Sequence, residues 1–135
     1  MKYALALAAL LAGASLAASE AATGSGLYTT QQAAMGAKVY AQNCARCHGV
    51  NLEGVSGPPL KGKELTAPGA QGKLTVSDIF KYMTSLMPAG NPGSLSHDQY
   101  AAIMAFILKQ NGAAPGSKPL AYDTALHSSA PIGGK

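Results

Sequence analysis

The chain has 135 residues, with 10 Lys plus Arg against 6 Asp plus Glu and a formal net charge of +4 at pH 7, a length that suits one domain once a targeting segment is set aside. The basic residues stand singly, so the clustered patch of a nucleic-acid-binding surface is missing. With no Trp, 6% aromatic residues, 16 Gly and 8 Pro, the chain lacks the large side chains that dominate most cores, and a large apolar cofactor would supply the missing buried area.

The first segment, MKYALALAALLAGASLAASEA, sets Lys2 before an uncharged Ala/Leu run from Ala4 to Ala14, followed by small residues; this is the pattern of a secretory signal. The run is too short and too rich in Ala for a span of about 20 strongly apolar residues. Ser15-Leu16-Ala17 and Ser19-Glu20-Ala21 both satisfy the small-x-small rule. Residues 1–21 are therefore read as a signal peptide cut after Ala17 or Ala21, and the mature chain begins at Ala18 or Ala22. No later apolar segment is long enough to cross a bilayer, so the expected product is exported, soluble and periplasmic, without stable membrane insertion.

Thr29 or Thr30 can cap a helix running through QQAAMGAKVYAQNCARC. Gly36 and Tyr40 share one face of it, and a Gly inside a helix, which costs about 1 kcal/mol relative to Ala, predicts a crossing with another backbone. From Gly49 to Gly72 neither a period of 2 nor one of 3.6 is sustained, which reads as a long ordered loop packed on one face of a cofactor. A second helix starts at Thr75 with Asp78 as its capping-box partner, carries Ile79, Tyr82, Met83 and Leu86 as an apolar stripe, and stops at Pro88. A third starts at Ser96 with Gln99 as partner, places Tyr100, Ile103, Met104, Phe106 and Ile107 at core spacing, and ends at Asn111-Gly112. Met35 and Met104 fit core positions, while His97 and His127 fit exposed ones. The remainder, residues 113–135, reads as loop, with disorder from about Ser128. The fold predicted is all-α and loop-rich.

Cys44-Ala45-Arg46-Cys47-His48 is the C-x-x-C-H pattern of c-type haem attachment. Thiols three residues apart on one helical turn face the same way, so both can form thioethers with the haem vinyl groups, and the next residue can turn its imidazole to the iron. A redox disulfide would call for a βαβ pattern, which the sequence lacks. Structural zinc would call for four ligands, and beyond this motif only the unpaired His97 and His127 remain. In haem electron carriers Met often shares the iron with His. Met87 is the candidate, because Pro88 frees it from its helix before a Gly/Pro-rich loop; Met83, on the helical stripe, is the reserve.

Over about Met35 to Gly112 the chain resembles a class I c-type cytochrome. The matching residues are Gly36 and Tyr40 ahead of CARCHG, then GPPLKG, LMPAGNPGSLS and YAAIMAFILKQNG. The resemblance implies a compact fold of about three to four helices wrapped round one covalent haem, with residues 22–112 as the cytochrome c domain and 113–135 as a C-terminal extension. It implies that the first and last helices cross near Gly36, that Tyr100 and Phe106 take part in the packing, that the Pro58 carbonyl accepts a hydrogen bond from His48, and that Leu60 packs on the haem. A one-electron carrier follows, not an enzyme. It would accept electrons from a periplasmic dehydrogenase, such as a quinoprotein alcohol dehydrogenase, and pass them to an oxidase or another cytochrome of the respiratory chain. Arg46 and Lys81 are candidates for steering an acidic partner. The competing readings are a fixed cytochrome subunit of a dehydrogenase, and a haem-based sensor or catalyst with an open sixth position.

Overall fold

The computed structural model describes residues 26–66 and 74–133. The segment read as a signal peptide with its two expected cleavage points, and positions 67–73 at the end of the long loop, lie outside the described residues. Within them the protein is helical: α1 is Thr30–Asn43, α2 Ala45–His48, α3 Lys63–Thr66, α4 Val76–Leu86, α5 His97–Gln110 and α6 Tyr122–His127. No strand forms among the described residues beyond one isolated bridge between Thr75 and Pro131.

The caps fall where the sequence places them. Thr29 Oγ1 accepts from the Gln32 amide at 3.1 Å. Thr75 with Asp78, and Ser96 with Gln99, form complete capping boxes, each satisfying two backbone donors that a helix start leaves unpaired. The first helix runs as far as expected but in two pieces, because Cys44 breaks it between α1 and α2.

α5 is buried on all sides from Tyr100 to Leu108, the condition of a central core helix. It crosses α1 at Gly36, where a Cβ would run into the Ala102 carbonyl and come within 3.1 Å of the Ile103 nitrogen. Beside the crossing, Phe106 packs on Tyr40 with ring centroids 5.2 Å apart. The buried face of α1 is Ala33, Gly36 and Tyr40, so Met35, expected in the core, points away and is 58% exposed. Met104 is fully buried, as expected.

The apolar stripe of α4 needs correcting. Its buried residues are Val76, Phe80 and Met83, whereas Tyr82 is 58% and Leu86 49% exposed. The helix has two apolar neighbours rather than one, with Phe80 turned to the ring of Tyr122 at 5.1 Å and Ile79, Tyr82 and Met83 lining a cleft.

The largest departure lies after Gly112. Instead of a loop passing into disorder, residues 113–133 include α6, bury Leu120, Ala125 and Ile132, and run back to the start of α4. Their attachments are mostly to backbone atoms, which hydropathy periodicity does not register.

Candidate haem site

Cys44 closes α1 by donating its amide to the Tyr40 carbonyl at 2.8 Å, and its own carbonyl accepts from the amides of Cys47 at 3.1 Å and His48 at 3.0 Å. This single turn brings Cys44, Cys47 and His48 to one cleft. The next stretch folds back over it: the amides of Val55 and Gly57 donate to the Cys47 carbonyl at 3.0 and 2.8 Å, and the Gly54 amide to the His48 carbonyl at 2.7 Å. The order that the loop lacks in sequence period comes from these backbone bonds. Tyr40 adds another, its hydroxyl donating to the Gly49 carbonyl at 2.7 Å.

His48 is buried, and its Nδ1 lies 2.8 Å from the Pro58 carbonyl oxygen. A carbonyl only accepts, so Nδ1 carries the proton and Nε2 keeps its lone pair for a metal. Gly57 lies against the same ring, where a Cβ would stand 2.9 Å from Cε1 and 3.0 Å from Nδ1.

Met87 caps α4 in an extended conformation, its amide donating to the Met83 carbonyl at 3.0 Å. The Tyr100 hydroxyl of α5 donates to the Met87 carbonyl at 2.7 Å. At the far end of α5, Asn111 Nδ2 donates to the Leu60 carbonyl at 3.0 Å, while its Oδ1 accepts from the Gly62 amide at 3.1 Å. One helix thus braces both the segment that carries Met87 and the loop that carries Pro58 and Leu60.

The cleft measures about 300 Å³ and gathers all six expected residues: Cys44, Cys47, His48, Pro58, Leu60 and Met87. Met83, Leu65, Ile103 and Ile107 add to its apolar walls, and among the described residues no Lys, Arg, Asp or Glu lines it. No disulfide joins Cys44 to Cys47. Burial, and then the neighbouring Cys47, push the Cys44 thiol up to about 11, and burial, followed by Cys44 and Glu53, pushes the Tyr40 hydroxyl up to about 12. An uncharged, apolar slot with two thiols on one turn, an imidazole oriented by a carbonyl, and thioether sulfurs suits a covalent haem. Among the described residues no three His, Cys, Asp or Glu side chains gather to hold a metal ion.

His97 and His127 stay away from the cleft and are exposed; His97 stacks on Tyr122, and His127 Nδ1 sits 2.9 Å from the Asp123 carbonyl oxygen. Arg46 and Lys81 are exposed. Sequence reasoning missed Gly57, Leu65 and the clamping role of Asn111. Gly57 opens the GPPLKG match without being singled out there, Leu65 carries no local signal, and an amide side chain at a helix end could have pointed to the third.

The sequence profile of the family described as cytochrome c oxidase, cbb3-type, subunit III, matches residues 31–107. Cytochrome c-551 of Bacillus subtilis is 38% identical over 93 residues, covering 69% of this chain and 76% of that protein. Cytochrome c-550 of the same organism is 64% identical over a segment of 25 residues, 18% of this chain and 21% of its own. A chain in the crystal structure of the sulfane dehydrogenase SoxCD from Paracoccus pantotrophus superposes with a TM-score of 0.56 at 28% identity, covering 96% of this chain and 69% of that one. No helix among the described residues is long and apolar enough to cross a membrane.

Proposed function

Because the chain belongs to the c-type cytochromes, the electron-carrying family described by that profile, we propose that it is a one-electron carrier with a single haem c joined to Cys44 and Cys47 and ligated by His48 and Met87. Haem held there supplies reversible Fe(III)/Fe(II) exchange. The observation that carries the reading is the meeting of CARCH and Met87 in one apolar cleft, with His48 Nδ1 already committed to Pro58. Cys44 and Cys47 anchor the group, the Pro58 carbonyl holds the imidazole in its metal-binding tautomer, and Leu60 with the apolar walls keeps water from the iron. Tyr100 fixes the backbone at Met87. Iron held by both His48 and Met87 would have no position left for oxygen or a substrate, and the protein would carry electrons rather than catalyse a reaction.

Its setting is the periplasm after cleavage of the N-terminal segment at Ala17 or Ala21. There it takes electrons from a dehydrogenase, a quinoprotein alcohol dehydrogenase being one candidate, and passes them to the respiratory chain. A second reading, a fixed cytochrome subunit of a dehydrogenase, draws support from the likeness to a chain of the SoxCD structure. Co-purification of a dehydrogenase with the untreated protein favours the fixed subunit, and isolation as a lone chain favours the shuttle.

The ligand set is tested by substitution, after a pyridine haemochrome spectrum has counted the haem. Met87→His is expected to keep a low-spin iron and lower the reduction potential, since Met paired with His raises it. Met87→Ala is expected to open the iron to carbon monoxide, and Met83→Leu to leave the sulfur-to-iron absorption band in place. If Met83→Leu abolishes that band while Met87→Leu keeps it, the two methionines exchange roles. Ready carbon monoxide binding by the unaltered ferrous protein overturns the carrier reading in favour of a sensor or catalyst.

A further inference from the structure

The matched family region ends at residue 107, yet residues 113–133 are tied to three helices. On α1, Gln32 makes two bonds to Leu120, its Nε2 donating to the carbonyl and its Oε1 accepting from the amide, each at 2.8 Å. Tyr28 adds two more contacts, its hydroxyl donating to the Ala113 carbonyl at 2.6 Å and its backbone carbonyl accepting from the Gly116 amide at 2.6 Å. On α4, the amides of Val76 and Ser77 donate to the carbonyls of Ala130 at 2.9 Å and Ser128 at 3.0 Å. The Ser77 hydroxyl donates to the Leu126 carbonyl at 2.6 Å. Those two amides are among the donors that a helix start leaves without an internal partner, so this segment completes the first turn of α4. Tyr122 connects the elements: its ring meets Phe80 of α4 edge-on at 5.1 Å and stacks on His97, the first residue of α5, at 3.7 Å and 10°. One turn further along α5, Tyr100 holds the carbonyl of Met87.

We propose that residues 113–133 are a strap that fixes α4 from behind, with Tyr122 as its positioning residue, so that the Met83–Met87 wall of the haem cleft stays closed. Phe80 takes the load on one face of α4 while Ile79 and Met83 face the cleft on another. A helix held at its first turn by the strap and at its last by Tyr100 has little freedom to swing away from the iron. The spectroscopic arm of the test rests on the Met87 ligation proposed above, whereas the hydrogen-exchange arm does not.

The test uses the full-length haem-loaded protein and three variants: Tyr122→Ala, Tyr122→Phe and Ser77→Ala. Backbone hydrogen exchange is followed in α4 and in α1, together with imidazole binding to the ferric iron and the sulfur-to-iron band. In Tyr122→Ala, exchange from Phe80 to Met87 is expected to rise on the order of tenfold relative to α1, as for a local opening, with tighter imidazole binding and a weaker band. Ser77→Ala is expected to move the same way by less, and Tyr122→Phe, which keeps the ring contacts, to match the unaltered protein. Equal loosening of α1 and α4 would reduce the segment to a general source of stability and overturn the proposal. So would unchanged exchange in α4, or a loosened α4 with unchanged imidazole affinity. If Tyr122→Ala does not fold, Ser77→Ala decides by the same criteria. If Met87→Leu alone keeps the band, the ligation reading falls, and α4 exchange still decides the strap.

Discussion

At Gly57 a bare backbone lies against the imidazole of His48 while that ring donates to the Pro58 carbonyl, so the ring is held from two sides. A methyl group there has no free space, and the ring cannot yield without lengthening its bond to Pro58. Gly57→Ala is therefore expected to cost about 1–3 kcal/mol, the usual range for overpacking, read from denaturant unfolding. It should also shift the reduction potential, because the orientation of a ligating His tunes its metal. The CARCH motif was legible in the sequence because all its geometry lies within one helical turn. Gly57 was not, because it is one glycine among 16 and only the folded-back loop brings it to the ring. Met83 was only half legible: its place on a helix face could be read, but that this face belongs to the cleft depends on where α5 lies.

The helices were legible at their ends and less so along their sides. Caps are local, and the boxes at Thr75 and Ser96 form as the residue spacing dictates. Sides depend on neighbours, and α4 has two, so the simple stripe of Ile79, Tyr82, Met83 and Leu86 missed Val76 and Phe80. The Thr75 box has a consequence for acid stability. Asp78 accepts from the Thr75 hydroxyl at 2.7 Å and amide at 2.9 Å, and these bonds hold its carboxyl below the ordinary carboxylate value, with Lys81 helping slightly. A depressed folded value means that the contribution is complete above the unfolded carboxylate range and is lost as pH falls through the lower folded value. Asp78→Asn is thus expected to be less stable than the unaltered protein at neutral pH, with the gap narrowing at pH values below the ordinary carboxylate range. Unfolding midpoints measured across pH check this, and a gap independent of pH would argue against the carboxylate as its source. Thr75→Ala, which removes the cap and with it the hydroxyl bond to Asp78, is expected to cost about 1 kcal/mol at neutral pH and less as Asp78 is protonated.

For the molecule as a whole, the scarcity of large aromatics forecast a core completed by something other than side chains, and the cleft walls of Leu60, Leu65, Ile79, Ile103 and Ile107 are the surface it would cover. Left open to water, that surface removes part of the hydrophobic drive to fold. Cys44→Ala with Cys47→Ala, produced without haem, is expected to be largely unfolded, as seen by weak helical circular dichroism and no cooperative melt; a sharp thermal transition would show that the helices suffice. Residues 113–133 were the least legible part, since most of their own hydrogen-bonding groups are carbonyls and amides that every residue possesses. The crossing of α1 and α5 was foreseen from Gly36, and it imposes an order in time. Synthesis delivers the N-terminal part first, so Cys44, Cys47 and His48 emerge with α1, whereas Met83, Met87, Ile103 and Ile107 follow later and Gly36 waits for Ala102. During that interval the thiols stand on an open half-site where a rigid planar group can be joined without passing through a finished wall. For the haem proposed there, the order of residues along the chain would set the time of attachment, with the anchors arriving first and the door last.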